Sequence, residues 1–173
     1  NALGNQAQTG SYNNAVGAQA LYNNTTGSPN DALGYRALYS NTTGVQNVAV
    51  GYYSLQGNTT GVSNTAVGSS ALTTNSGGTY NTAIGRSALQ ANTTANYNTG
   101  LGFQALYSNT TGTNNTAVGT ALFSNTAGGY NVGVGFQTLN SNNASNNTAV
   151  GTQALYSNTT GTPNDAFGYQ ALY

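Results

Sequence analysis

A 17-residue period runs through nearly the whole chain, and it limits the fold more than any other feature. One copy, residues 148–164, reads T-A-V-G-T-Q-A-L-Y-S-N-T-T-G-T-P-N. Copies begin at Asn14, Asp31, Val48, Thr65, Thr82, Thr99, Thr116, Val132, Thr148 and Asp165, and the last is cut off at Tyr173. A short period of this kind means stacked identical units, each of which buries its apolar side chains against its neighbours. Slots are numbered 1 to 17 from the first residue of each copy. Slot 4 is Gly throughout and slot 8 is Leu throughout. Slot 17 is Asn throughout, and slots 2 and 7 are small, mostly Ala.

Helices are a poor fit. Each unit places Gly at slot 4 and usually at slot 14, with a T-T-G-x-x-N run between apolar clusters. Gly costs about 1 kcal/mol against Ala in a helix, and Thr and Asn favour turns. Seventeen residues leave no room for the helix pair of a helical solenoid. The period predicts an all-β fold, a parallel β-solenoid with one coil per repeat, over residues 1–173 as a single array. Slots 1–3 and 6–9 are expected to be strands, with bends between them. Coils would stack at about 4.8 Å, giving a rod on the order of 50 Å long.

Two apolar ladders are expected to face inward. Slot 3 supplies Val16, Leu33, Val50, Val67, Ile84, Leu101, Val118, Val134 and Val150, with Leu3 ahead of them. Slot 8 supplies Leu21, Leu38, Leu55, Leu72, Leu89, Leu106, Leu122, Leu139 and Leu155. Gly at slot 4, from Gly4 onward, is expected to take φ > 0 or to let backbone pass close by. A stacked Asn ladder at slot 17 would satisfy the bend. The copies from Thr116 and Val132 are one residue short, near slot 6 and slot 14, and Ala2–Asn13 lacks about four bend residues. These deletions are expected to shorten bends and leave the ladders in register, because a one-residue slip turns a strand inside out.

Composition removes several functions. Only 2% of residues are charged, with two Arg, two Asp and no His or Cys. Nucleic acid needs clustered Lys and Arg, so it is not an expected partner. No apolar run approaches the roughly 20 residues of a membrane-spanning helix, so this segment is not expected to insert into a membrane. Paired-carboxylate hydrolysis needs two carboxylates within about 5–10 Å, whereas Asp31 and Asp165 lie eight repeats apart. Neither a Ca²⁺ loop nor a phosphate loop is present. The chain is read as a non-enzyme without metal or cofactor.

Sequons recur at slot 11: Asn24, Asn41, Asn58, Asn92, Asn109 and Asn158. They are candidate glycosylation sites on an exposed edge, or else N-T-T-G is a stacked turn. The Thr pair at slots 12–13 raises an ice-binding surface, but Gly77, Ala127, Asn143 and Ala144 interrupt it. Aromatics cluster at slots 5, 9 and 16, and one stripe is expected to be buried between chains.

The runs N-T-A-I-G-R-S-A-L (81–89), N-T-A-V-G-S-S-A-L (64–72) and N-T-A-V-G-T-Q-A-L (147–155) resemble the head repeat of trimeric autotransporter adhesins. Similar T-A-V-G-x-x-A-L-x-x-N-T-T-G arrays look like those of bacterial and phage fibre proteins. The resemblance covers slots 1–8, about half of each unit. The segment Y-S-N-T-T-G at slots 9–14 departs from it as a longer bend. The resemblance implies a left-handed β-roll in a homotrimer, at a cell surface or on a virion fibre. The resulting expectation is a structural segment of an extracellular fibre, acting as an adhesin shaft or head. One alternative is a carbohydrate- or surface-binding module using exposed Tyr ladders, with a host-surface glycan or receptor as partner. Another is a single-chain solenoid that polymerises end to end into a glycan-coated filament.

Overall fold

The computed structural model describes residues 9–173. Leu3, Gly4 and most of Ala2–Asn13 lie outside the described residues. Ten short strands form one parallel sheet in sequence order. They are β1 (Asn14–Val16), β2 (Asn30–Leu33), β3 (Asn47–Val50), β4 (Thr65–Val67) and β5 (Thr82–Ile84). Then follow β6 (Thr99–Leu101), β7 (Thr116–Val118), β8 (Val132–Val134), β9 (Asn147–Val150) and β10 (Asn164–Phe167). Each strand pairs with the next copy of itself, as in Thr82↔Thr99 and Ile84↔Leu101. The fold is therefore a parallel β-solenoid with one 17-residue coil per repeat.

The expected second strand at slots 6–9 does not form. Those residues make a double turn instead, because slots 6 and 8 both sit in the left-handed region. Ser87 has φ 58° and Leu89 has φ 51°, and Arg36 with Leu38 has 54° and 51°. A non-glycine residue costs about 1–2 kcal/mol there. Full burial of a Leu side chain contributes about 1.5–3 kcal/mol, and each slot-8 Leu from Leu21 to Leu139 is completely buried. The turn wall is also bonded coil to coil: Leu72 N–H donates to Ala88 O at 3.0 Å and Leu89 N–H to Ala105 O at 2.9 Å. Slot-4 Gly takes φ > 0 as expected, with Gly85 at 132°. A Cβ on Gly85 would lie 2.4 Å from Gly102 O, so glycine is required for spacing as well as for torsion.

The slot-3 ladder does not enter the core. Val16, Leu33, Ile84, Leu101 and Val150 are exposed, and Val50, Val67, Val118 and Val134 are half-buried. The reason is the period of a strand, in which adjacent side chains point to opposite faces. The burial of β2 alternates, with Asn30 and Ala32 inside and Asp31 and Leu33 outside. Slot 2 is therefore the inward position. It admits little more than a methyl group: a Cβ on Gly100 would lie 3.2 Å from Ala105 O and 3.5 Å from Leu89 Cγ. The apolar core consists of slot-8 Leu flanked by slot-2 and slot-7 Ala. The slot-3 residues form an apolar ribbon along the outer face of the sheet.

Both short copies keep the register. Thr116↔Val132 and Val118↔Val134 remain paired, and Leu122 and Leu139 stay fully buried. The bends absorb the missing residues and the register holds as expected, but of the two residues expected in the core Leu139 is there and Val134 lies outside it with the rest of slot 3.

Candidate functional site

The interior is half polar. Slot 17 forms an asparagine ladder in which, from Asn30 to Asn147, Oδ1 accepts the backbone N–H of the next coil's Asn. Asn47, Asn64, Asn81 and Asn98 each donate to the preceding Asn at 3.0 Å. Their Nδ2 groups reach slot-14 carbonyls, as in Asn64 to Gly78 O at 2.7 Å. Slot 11 forms a second ladder from side chain to side chain. Asn41 Nδ2 donates to Asn24 Oδ1 at 2.8 Å, Asn58 to Asn41 at 2.8 Å, and Asn92 to Asn75 at 2.8 Å. Each Nδ2 also caps its own turn, with Asn41 reaching Gly44 O at 3.0 Å. A buried polar group costs stability unless it is bonded, and these ladders bond nearly all of theirs.

This arrangement decides between the two readings of the sequons. Asn24, Asn41, Asn58, Asn92 and Asn109 are fully buried, with the Nδ2 that a glycan would occupy already engaged. Asn158 is half-buried and donates to Asn142 Oδ1 at 2.8 Å and to Gly161 O. N-T-T-G is a stacked turn, and its asparagines are not an exposed edge in the folded solenoid.

The aromatics form surface stacks. Tyr22 and Tyr39 at slot 9 lie 5.4 Å apart, Tyr107 and Phe123 5.1 Å, and Tyr156 and Tyr173 5.3 Å. Slot 16 stacks Tyr80 on Tyr97 at 5.0 Å, and slot 5 stacks Tyr35 on Tyr52 at 5.4 Å. Slot-6 glutamines form another ladder, with Gln170 donating to Gln153 and Gln153 to Gln137, each at 3.0 Å.

A cleft interrupts this surface. It has a volume of about 440 Å³ and is lined by Phe103, Gln104, Thr120, Phe123, Ser124, Phe136, Gln137 and Asn140. It lies where the copy from Thr116 lacks its slot-6 residue. Elsewhere a slot-6 N–H donates to the preceding slot-5 carbonyl, as Gln137 does to Thr120 O at 3.0 Å. With that residue gone, the Thr120 hydroxyl donates to Phe103 O at 3.1 Å in its place. The sequence count located the deletion but gave no sign of this cleft, because its polar lining depends on the ladders on either side. Among the described residues no cluster of three His, Cys, Asp or Glu could hold a metal ion. No family model, curated protein or solved structure matches the chain.

Proposed function

We propose that the chain is a non-enzymatic structural segment of an extracellular fibre, in which several copies associate laterally through the slot-3 ribbon. The observation that carries this reading is the exposure of that ribbon. Val16 is 60% exposed, Leu101 44% and Phe167 68%, yet no copy places a polar residue at slot 3. A contiguous apolar surface of this length marks an interaction face. Every coil contributes one apolar side chain to it, so the surface that fits it is equally long and repetitive, as a second copy of the chain is. The adhesin-like runs in slots 1–8 favour three copies about one axis. Coil stacking by main-chain hydrogen bonds suits a stiff spacer, and the scarcity of ionisable side chains offers little for catalysis.

Sedimentation equilibrium at micromolar concentration tests the reading. The expected mass is three times the 17.5 kDa of one chain. A double variant, Ile84→Lys with Leu101→Lys, is expected to give a monomer with unchanged circular dichroism. A wild-type monomer, or an oligomer indifferent to both lysines, would overturn it.

A further inference from the structure

We propose that the notch at Thr120 is a binding subsite for one neutral pyranose ring of a glycan. Two ladders are interrupted at the same level. At slot 5 Thr120 stands between Phe103 and Phe136, so the aromatic column has a gap one ring deep. At slot 6 the deleted residue leaves Gln104 and Gln137 without the neighbour that would join them.

The geometry of the gap follows from the coil spacing. Phe103 and Phe136 belong to coils two steps apart, hence about 10 Å from each other along the axis. A ring placed at the level of Thr120 would lie about 5 Å from each, close to the 5.0–5.4 Å between stacked aromatics elsewhere. One face of Phe103 is already covered by the Arg86 guanidinium, 4.6 Å from its centroid. Arg86 belongs to the preceding coil, so the other face looks across Thr120. Both phenylalanines are about half exposed.

The polar lining selects the occupant. Gln137 Oε1 accepts from Gln153 at 3.0 Å, and the ladder runs in one direction. Gln137 Nε2 would therefore donate to the missing residue, and it has no partner among the described residues. The Gln104 side chain likewise makes no hydrogen bond there. Ser124 and Asn140 add a hydroxyl and an amide at the rim. A donor, an acceptor and two apolar ring faces with no charge in the lining fit a molecule with apolar C–H faces and hydroxyls around its edge. That is a neutral sugar ring. An anionic ligand would find no cation in the cleft lining.

The inference does not rest on lateral assembly, because mass and sugar binding are read on the same sample. The test uses saturation-transfer NMR on the full chain. The probes are methyl glycosides of glucose, galactose, mannose and N-acetylglucosamine, with p-cresol as an aromatic competitor. At least one glycoside is expected to bind with Kd on the order of 1 mM, as a small ligand in a shallow site does. Inserting Gln between Thr120 and Ala121 refills slot 6 and is expected to abolish transfer. Thr120→Tyr completes the aromatic column and is expected to weaken binding at least about 10-fold, should the insertion prevent folding. No transfer from any glycoside at 50-fold the expected Kd would overturn the proposal. So would unchanged binding in the variants, or p-cresol binding more tightly than every sugar.

Discussion

Asn125 Oδ1 is buried without a hydrogen-bond donor: Asn142 in the next coil keeps its cap on the slot-14 carbonyl, Ala144 O at 2.8 Å, but does not reach back to Asn125. Among the described residues this is the one break in the slot-11 ladder, and it coincides with the short copy from Val132. Ala144 does the work of a slot-14 residue, since its carbonyl accepts Asn131 Nδ2 at 2.8 Å. The missing residue therefore precedes slot 14. Asn143 covers part of the loss: its Oδ1 accepts the Thr126 and Ala127 N–H groups at 3.1 and 2.8 Å, where other coils use a slot-12 carbonyl. In both short copies a side chain replaces the deleted main-chain group.

Inserting Thr between Asn142 and Asn143 restores the slot-12 carbonyl and the full-length turn in which the other slot-11 asparagines reach the preceding coil, and so is expected to bring Asn142 onto Asn125. An unsatisfied buried acceptor costs about 1–3 kcal/mol, so the insertion is expected to raise stability by a sizeable part of that. Urea denaturation would show a higher midpoint at unchanged slope. A lower midpoint would mean that the shortened turn is the better packed arrangement.

A second natural irregularity supplies its own test. Slot 14 is Gly in most coils, and a Cβ on Gly78 would lie 2.3 Å from Asn75 Oδ1 and 2.4 Å from Ala95 O. Ala95 occupies this slot in the next coil. Of the main-chain bonds to the next coil its turn keeps only Thr93 N–H to Thr110 O, at 3.5 Å, whereas Ser76 and Gly77 reach Thr93 O at 2.9 and 3.2 Å one coil earlier. Ala95→Gly is expected to stabilise by about 0.5–1.5 kcal/mol, the value of one recovered hydrogen bond, and to slow amide exchange at Thr93 and Thr94. Gly85→Ala should do the opposite and cost about 3 kcal/mol or more, since it adds a left-handed penalty to a clash with main chain.

These irregularities show what the sequence discloses. Leu89 could be placed because an unvaried Leu in a 17-residue period has only the interior to go to. Ile84 could not be placed by hydrophobicity alone. Ala83 and Ile84 are adjacent in a strand and cannot both face inward. The smaller one is inside because the coil is thin. The turn at slots 6–8 left no trace, since Ser87 and Leu89 are not residue types that announce a left-handed torsion. Asn58 carried a signal that was open to two readings. It fits a sequon, but slot 11 is Asn as regularly as slot 17, and that regularity marks a structural ladder.

The buried ladder leads to an outcome for glycosylation. The folded chain, incubated with an oligosaccharyltransferase and a lipid-linked donor, is expected to remain unmodified at Asn41, Asn58 and Asn92. Peptide mass spectrometry would read this, with the same peptides as substrates in unfolded form. Asn58→Ala removes one member of the slot-11 ladder and leaves Asn41 Oδ1 without its donor, while Gly61 O keeps Asn47 Nδ2 at 2.8 Å. It is expected to destabilise by about 1–3 kcal/mol, counting one unsatisfied acceptor. A fully glycosylated folded product would refute the ladder.

Stability should be nearly independent of pH over a wide range. The side chains that titrate are two Asp and 13 Tyr, with no His, Cys, Lys or Glu. Asp ordinarily titrates near 3.9 and Tyr near 10. His and Cys, the side chains whose ordinary values fall between about pH 5 and 9, are absent, and the slope of stability against pH is set by the difference in bound protons between the two states. The alkaline limb has a local contributor. The hydrogen bond between Tyr52 and Tyr53, then desolvation, raise Tyr52 above its ordinary value, in a pair whose rings lie 4.0 Å apart. Tyrosine is neutral when protonated, so a raised folded value means the unfolded chain releases this proton first. The contribution is complete below the ordinary tyrosine value and is lost as pH rises through the folded one. Melting should show a flat midpoint to pH 9 and a decline above it, shallower in Tyr52→Phe. A shift beyond about 3 °C between pH 5 and 9, on the scale of roughly 1 kcal/mol, would mean that a group other than these side chains governs folding.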